Sequence, residues 1–254
     1  MLQSFNSIEK EILQESIKTK NLDSWIFTII ENYIYEKVVD VDCDDYKQTF
    51  IRRFGNIHGK YLEYFENGNI CIEENYNNGI EEGERREYFS NGQLFQFSNW
   101  LNDEMNGLCL TYYQNGQLRS QKVYHNDQLH GEEKVWSENG ILIKIAHYRN
   151  GEVHGEVKNY CSTGELKSIR NFRNGKLHGP YSQFYESGNQ ESNKYYDSGL
   201  LTFLQRWDED GNLFEQEEYY MGELHGERLV YESQGHYIKE KYTNGKLIEY
   251  EEAN

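Results

Sequence analysis

The stretch YRNGEVHG at residues 148–155 returns as FRNGKLHG at residues 172–179, and this spacing decides the fold. Glycines keep the same step from Gly59 to Gly179. A fixed period of about 24 residues is typical of a chain built from repeated structural units. Many of the other glycines follow asparagine, as in Asn174-Gly175, and Asn-Gly pairs suit the positive φ angles that hairpin turns require. The pattern therefore predicts a unit of two short strands and two turns, repeated about eight times.

Two columns of aromatic residues keep the same period as the glycines. The first column is Tyr64, Tyr88, Tyr112, Trp136, Tyr160, Phe184, Trp207 and Tyr231. The second column is Tyr76, Trp100, Tyr124, Tyr148, Phe172, Tyr196, Tyr219 and Tyr242. Stacked hairpins are expected to place both columns on one face, where a buried aromatic removes roughly 150–250 Å² from water. We therefore expect the ladder to replace an aliphatic core, with Trp136 and Tyr148 mostly buried.

The segment before the repeats has a different pattern. Leu2, Phe5 and Ile8 recur at helical spacing, and the stretch from Leu22 to Val39 carries apolar residues on one helical face. We predict a mainly β protein, an elongated array of antiparallel β-hairpin repeats, each of about 24 residues, in one long twisted sheet. The predicted domains are a small N-terminal helical cap over residues 1–45 and the repeat array over residues 46–254. The helices would cover the open edge of the first hairpin or form a recognition module.

The charge balance narrows the class of partner. The chain has 26 Lys+Arg against 43 Asp+Glu, a formal net charge of -17. Nucleic acids and anionic membranes attract positive surfaces, so this balance argues against both and favours a basic protein. The longest strongly apolar run, Trp25 to Ile30, is too short to span a bilayer. The four cysteines are far apart, which indicates free thiols and a cytoplasmic location.

No motif in the sequence indicates catalysis, a cofactor or a metal. The run Asp40–Asp45 alternates carboxylates like a calcium loop, but its sixth position is aspartate and its twelfth position is isoleucine. Histidines that precede repeat glycines would stand about 10 Å apart, too far to share one metal ion. We expect them to stabilise turns; they are His58, His130, His154, His178 and His225. The predicted protein is not an enzyme.

Side chains that break the period are the candidates for partner binding. Strand alternation predicts that aromatic residues are unusually frequent on the face opposite the ladder in the first units. These residues are Phe65, Phe89, Phe95, Phe97 and Tyr113, and the acidic residues expected to steer a partner are Glu63, Glu73 and Glu87. An apolar cluster on a polar surface is typical of a binding hot spot. The alternative is that the N-terminal helices cover it.

The two stretches quoted first resemble the MORN-repeat variant and, more narrowly, the bacterial YwqK-like antitoxin family. The resemblance extends over about residues 51–250, with departures at Glu82-Gly83, Asn106-Gly107 and Phe203. It implies a β-hairpin scaffold that binds other molecules, and the antitoxin label implies neutralisation of a toxin encoded nearby. The predicted function is therefore an immunity or antitoxin protein that binds a cognate, basic toxin. The alternative is a structural scaffold that organises other proteins or a membrane surface, and the oligomeric state stays open.

Overall fold

The computed structural model describes residues 35–43, 46–53, 56–232 and 236–253. The chain divides into two compact units, Met1–Asn106 and Gly107–Asn254. Every regular element in the described ranges is a β-strand, and neighbouring strands pair antiparallel. The prediction of a mainly β array of antiparallel hairpin repeats is therefore confirmed. Within the described ranges, no helix is long and apolar enough to cross a membrane.

The first unit is a meander in which each hairpin arm pairs with the arm before it. Its strands are β1 (Tyr35–Cys43), β2 (Tyr46–Arg53), β3 (Asn56–Ile57), β4 (Gly59–Tyr64), β5 (Ile70–Asn77), β6 (Ile80–Glu81), β7 (Gly83–Tyr88) and β8 (Leu94–Leu101). The short strands β3 and β6 end just before a glycine-initiated strand. Gly83 has a φ of 103°, which favours glycine, and this local change of direction separates β6 from β7.

The second unit repeats the same meander along residues 107–253. Strand β9 (Glu104–Tyr112) begins just before the boundary between the units. The following strands are β10 (Leu118–His125), β11 (Gln128–Leu129), β12 (Gly131–Trp136), β13 (Leu142–Arg149), β14 (Glu152–Val153), β15 (Gly155–Tyr160) and β16 (Leu166–Arg173). They continue as β17 (Lys176–Phe184), β18 (Gln190–Asp197), β19 (Leu200–Trp207), β20 (Leu213–Tyr220), β21 (Glu223–Tyr231), β22 (Tyr237–Thr243) and β23 (Lys246–Ala253).

Strand β1 corrects part of the predicted N-terminal cap. The helix predicted from Leu22 to Val39 is wrong over residues 35–39, because Tyr35–Cys43 is a strand paired with β2. Val38 and Val39 are β-branched and lie opposite Phe50 and Thr49, an arrangement that favours extended backbone. The acidic run that begins at Asp40 is likewise strand as far as residue 43. The rest of the predicted helical cap, residues 1–34, lies outside the described residues.

Two kinds of turn alternate along each unit. In the first kind, the Phe65 N–H donates to the Asn69 carbonyl and the Gly68 N–H to the Phe65 carbonyl, both at 2.9 Å. This is a three-residue loop in which glycine supplies the positive φ. In the second kind, Asn78 and Gly79 have φ of 53° and 89°, so the two-residue turn is type I′. The predicted link between Asn-Gly and positive φ is confirmed for the second kind, whereas only the glycine has it in the first.

A one-residue register shift next to most of the three-residue loops decides which side chains share a face. In β4 and β5 the shift falls between Glu63 and Tyr64, and the hairpins up to β19–β20 repeat it. An extra residue in one strand reverses the side on which the following side chains project. The prediction that both aromatic columns share one face is therefore wrong. In each unit we call the face of the second column face A and the face of the first column face B.

The buried core lies on face A, and the residues of the two aromatic columns are not part of it. The buried apolar residues are Phe50, Tyr61, Cys109, Ala146, Val157 and Leu204. The buried polar residues are Glu74, Glu81, Ser98, Ser120, Glu133, Ser168, Ser192, Glu215 and Glu217. Both aromatic columns are half-buried, including Trp136 and Tyr148, which were expected to be mostly buried. The centre of face A therefore contains many polar side chains, and it is not built from the two aromatic columns.

Candidate protein-binding surfaces

The candidate aromatic residues at the hairpin ends make local contacts. The rings of Phe89 and Phe95 meet edge to face with their centroids 5.1 Å apart. Tyr113, in the second unit, donates its hydroxyl to the Trp136 carbonyl at 2.8 Å, and the Arg119 guanidinium lies 5.7 Å from its ring centroid. Phe65 begins the corresponding loop in its own repeat. An edge-to-face pair contributes about 0.5–1.5 kcal/mol beyond its buried area, so these residues stabilise hairpin ends.

A second group of candidates lies on face B of the first unit. The Arg86 guanidinium is 5.5 Å from the ring centroid of Phe97 and 4.0 Å from the Glu73 carboxylate. Glu73 also pairs with Lys60 at 2.5 Å and accepts the Tyr88 hydroxyl at 3.3 Å. The hydrogen bond from Lys60 is the main cause that lowers the pKa of Glu73, although burial opposes it. The negative charge of Glu73 is therefore compensated within the molecule.

The other two acidic candidates lie on the opposite face of the same unit. Glu63 accepts the Tyr61 hydroxyl at 2.9 Å, and Glu87 pairs with Arg85 at 3.1 Å. Tyr61 and Arg85 belong to face A, whereas Phe97 belongs to face B. The structure thus divides the eight predicted residues among hairpin ends, face B and face A. It does not bring them together on one surface.

The first unit holds a charged cluster on face A that the sequence did not reveal. Arg85 lies 3.4 Å from Glu74, 3.7 Å from Glu81 and 3.1 Å from Glu87. Glu81 is only 8% exposed, and its Oε1 has no hydrogen-bond partner in the described ranges. Burial raises the pKa of Glu81 to about 7; the charge of Glu74 adds to the rise and that of Arg85 opposes it. The single guanidinium of Arg85 thus forms ion pairs with three carboxylates.

A lysine-rich version of this cluster occurs in the second unit. Glu133 accepts hydrogen bonds from the Lys144 Nζ at 2.8 Å and the Tyr148 hydroxyl at 3.0 Å, and Lys122 lies 3.6 Å away. Burial opposes ionisation of Glu133, but the hydrogen bond and charge of Lys144 outweigh it and lower the pKa of Glu133. The carboxylate is therefore ionised and fully paired.

The third cluster surrounds Arg228 in the second unit. Its guanidinium contacts Glu215 at 2.7 Å, Glu217 at 3.1 Å and Glu240 at 2.8 Å. The Tyr219 hydroxyl donates to Glu217 at 2.5 Å, just as the Tyr76 hydroxyl donates to Glu74 in the first unit. Glu215 and Glu217 are both buried. The available signal was a glutamate two residues before a column tyrosine, since residues i and i+2 share one side of a strand.

Comparison of the chain with known protein families shows what the repeat resembles. Four segments match the family model described as MORN repeat variant, over residues 57–78, 81–100, 105–126 and 129–150. These four segments are similar to the MORN repeat variant. The resemblance is confirmed over this part of the chain, and it indicates a repeat protein involved in protein or membrane binding. No curated protein matches the chain.

The histidines that precede repeat glycines have a local role at several turns. His58 Nδ1 accepts the Asn78 N–H at 3.2 Å, and His178 Nδ1 accepts the Ser198 N–H at 3.4 Å. His225 Nδ1 accepts the Asn244 N–H at 3.4 Å. The predicted turn-stabilising hydrogen bonds are therefore confirmed for these three; the His154 Nδ1 is buried without such a bond in the described ranges. Across those ranges, no group of His, Cys, Asp and Glu is arranged to hold a metal ion.

Proposed function

We propose that this chain is a non-enzymatic immunity or antitoxin protein that binds a basic toxin in the cytoplasm. The observation that carries the proposal is the aromatic surface on face B of the first unit, in a chain of net charge -17. Phe97 and Tyr88 share this face, and both are half-buried, so each keeps surface for a partner. Aromatic residues and arginine are the side chains enriched in interface hot spots, and Arg86 lies over Phe97.

The surplus of acidic residues supports a basic partner. Many glutamates are compensated by nearby cations, as Glu73 is by Lys60, yet the formal net charge of the chain stays at -17. A field of this sign speeds the encounter with a cationic protein. We expect added salt to slow association more than it speeds dissociation, because exposed charges are screened beyond about 8 Å at physiological ionic strength.

The test is co-expression of the tagged chain with the product of the adjacent gene, followed by purification and a growth assay. We expect a stable complex and restored growth of cells that carry the toxin. Absence of a complex would contradict the proposal. A complex without rescue of growth would favour the alternative, a scaffold that organises other proteins.

A matched pair of variants locates the binding surface. Phe97→Ser removes the face-B aromatic of the first unit, and Ile169→Ser changes the same repeat position in the second unit. We expect Phe97→Ser to weaken binding by about tenfold or more, the loss typical of a hot spot, and Ile169→Ser to leave affinity unchanged. Both variants lose a similar half-buried apolar side chain, so their melting temperatures should fall alike. Equal affinities for the two variants would show that face B of the first unit is not the site.

A further inference from the structure

Three exposed apolar residues lie at the turn edge of β19, β20 and β21 in the second unit. Leu200 is 49% exposed, Tyr220 is 56% exposed and Met221 is 71% exposed. A Cβ at Gly222 would stand 3.9 Å from the Cδ2 of Leu200, so the turn at Met221-Gly222 lies against Leu200. We call these three residues the edge patch.

The edge patch departs from the rest of the second unit. At the position of Leu200 the other repeats of this unit carry Gln128, Glu152, Lys176, Glu223 and Lys246. At the position of Tyr220 they carry His125, Arg149, Arg173, Asp197 and Thr243. The hairpins of the second unit therefore form with polar residues at these positions, although the Tyr220 ring also contacts the His225 ring, with centroids 5.4 Å apart. Contiguous exposed apolar residues in a polar setting are typical of interaction sites.

Met221 adds a second, independent observation. Its φ is 51°, in the left-handed region where a bulky side chain is a genuine outlier. Other repeats place asparagine at this turn position, as at Asn150 and Asn174, and asparagine tolerates that conformation. Methionine is therefore strained here, and residues held in strained backbone cluster at functional sites. Its flexible, polarisable side chain suits a binding surface.

The charges beside the edge patch define the partner. Asp197 lies opposite Leu200 across the strands, and Glu223 lies opposite Tyr220. Both acidic residues are exposed, so Leu200 and Tyr220 each have an exposed carboxylate beside them. Lys176 takes the Leu200 position one repeat earlier and Lys246 takes it two repeats later, so lysines border the acidic zone of Asp197 and Glu223.

We propose that the edge patch is a docking site for a segment of another protein that presents an aliphatic or aromatic side chain flanked by lysine or arginine. The apolar side chain packs on Met221 and Leu200, and the flanking cations lie over Glu223 and Asp197. This surface is separate from face B of the first unit, so it stands whether or not a toxin is the partner there. A partner bound at this turn edge leaves both faces of the sheet accessible.

The test follows the methyl signal of Met221 in the full chain. The chain has three methionines, Met1, Met105 and Met221, so labelled methionine methyl groups give a simple spectrum in which the other two serve as references. The probe is a short synthetic peptide of alternating lysine and leucine, and its matched control alternates lysine and serine at equal charge. We expect the lysine–leucine peptide to shift the Met221 signal. We expect the affinity of the lysine–serine peptide to be lower by about tenfold or more.

The variants give each edge residue a side chain that other repeats carry there. The triple variant combines Leu200→Gln, Tyr220→Asn and Met221→Asn. We expect it to bind the lysine–leucine peptide about tenfold more weakly than the parent chain does. Met221→Asn alone should raise the melting temperature by about 2–4 °C, because it relieves the strained turn. Gain of stability with loss of binding is the signature of a functional residue and is not produced by a structural one. Leu101→Asn changes the Tyr220 position in the first unit and should leave the Met221 shift intact.

Several results would overturn the proposal. Two results would assign the interaction to charge elsewhere on the chain. One is equal affinity of the lysine–leucine and lysine–serine peptides; the other is equal affinity of the triple variant and the parent for the lysine–leucine peptide. A Met221 shift that depends on protein concentration without peptide would make a second copy of this chain the occupant. A soluble nitroxide that fails to broaden the Met221 signal of the free chain would show that the chain covers the patch itself.

Discussion

Replacing Arg228 by methionine tests the physical role of the charged clusters on face A. The substitution keeps most of the side-chain length and removes the guanidinium from Glu215, Glu217 and Glu240. Glu215 and Glu217 are each 7% exposed, so two nearly buried carboxylates would lose a cation. Breaking a buried pair costs about 3–5 kcal/mol, and a surface pair about 0–1 kcal/mol. Because the Arg228 side chain is 29% exposed, we expect a loss of about 2–4 kcal/mol in the free energy of unfolding.

Urea unfolding followed by tryptophan fluorescence measures this loss. Arg173→Met is the matched control, because Arg173 is exposed and the described part of the chain offers it no ion pair. The control should change the free energy of unfolding by less than about 0.5 kcal/mol. Adding Glu215→Gln to Arg228→Met should recover part of the loss, since it removes one of the orphaned charges. Equal stabilities of Arg228→Met and Arg173→Met would refute the reasoning.

The pH dependence of Arg228→Met gives an independent check of the stabilising effect of Arg228 on Glu215. In the parent, burial opposes ionisation of Glu215, but hydrogen bonds and charge from Arg228 and Arg206 outweigh it and lower its pKa. The stability from this group is therefore present above the unfolded pKa and is lost as pH falls through the folded pKa. Without Arg228, Arg206 alone opposes burial, so the folded pKa of Glu215 should rise and this group should contribute less stability at neutral pH. The difference between Arg228→Met and the parent should be largest near neutral pH and shrink toward about pH 5.

Two further predictions concern Glu81 and Trp136. Because the folded pKa of Glu81 is raised to about 7, its contribution is full at low pH and is lost as pH rises. Going from about pH 8 to about pH 5 should add about 2–3 kcal/mol from this group to the free energy of unfolding, and Glu81→Gln should remove that increment in urea titrations. Trp136→Ala should cost about 2 kcal/mol, below the usual 3–5 kcal/mol for a core aromatic, because Trp136 is only half-buried. Thermal melting that matches the parent would show that the first aromatic column adds no stability.

The sequence by itself determined the repeat and its turns. The regular spacing of the glycines and the Asn-Gly pairs express local backbone preferences, and the structure has a positive φ at both Asn174 and Gly175. Such preferences act within a few residues, so they can be read without knowing what packs against them. The helix prediction failed over residues 35–39, where apolar spacing fitted a helix and pairing with β2 gave a strand.

Only the tertiary structure decided which side chains share a face. Strand alternation predicted one face for Tyr64 and Tyr76, but the register shift beside Tyr64 reverses the sides. A shift of one residue has no strong signature in sequence, since it follows from how the loop joins the two strands. The same shift separates the predicted acidic residues Glu63 and Glu73 onto opposite faces. It also leaves the centre of face A to buried groups such as Glu74, which pairs with Arg85 of the first unit and accepts the Tyr76 hydroxyl of its own strand.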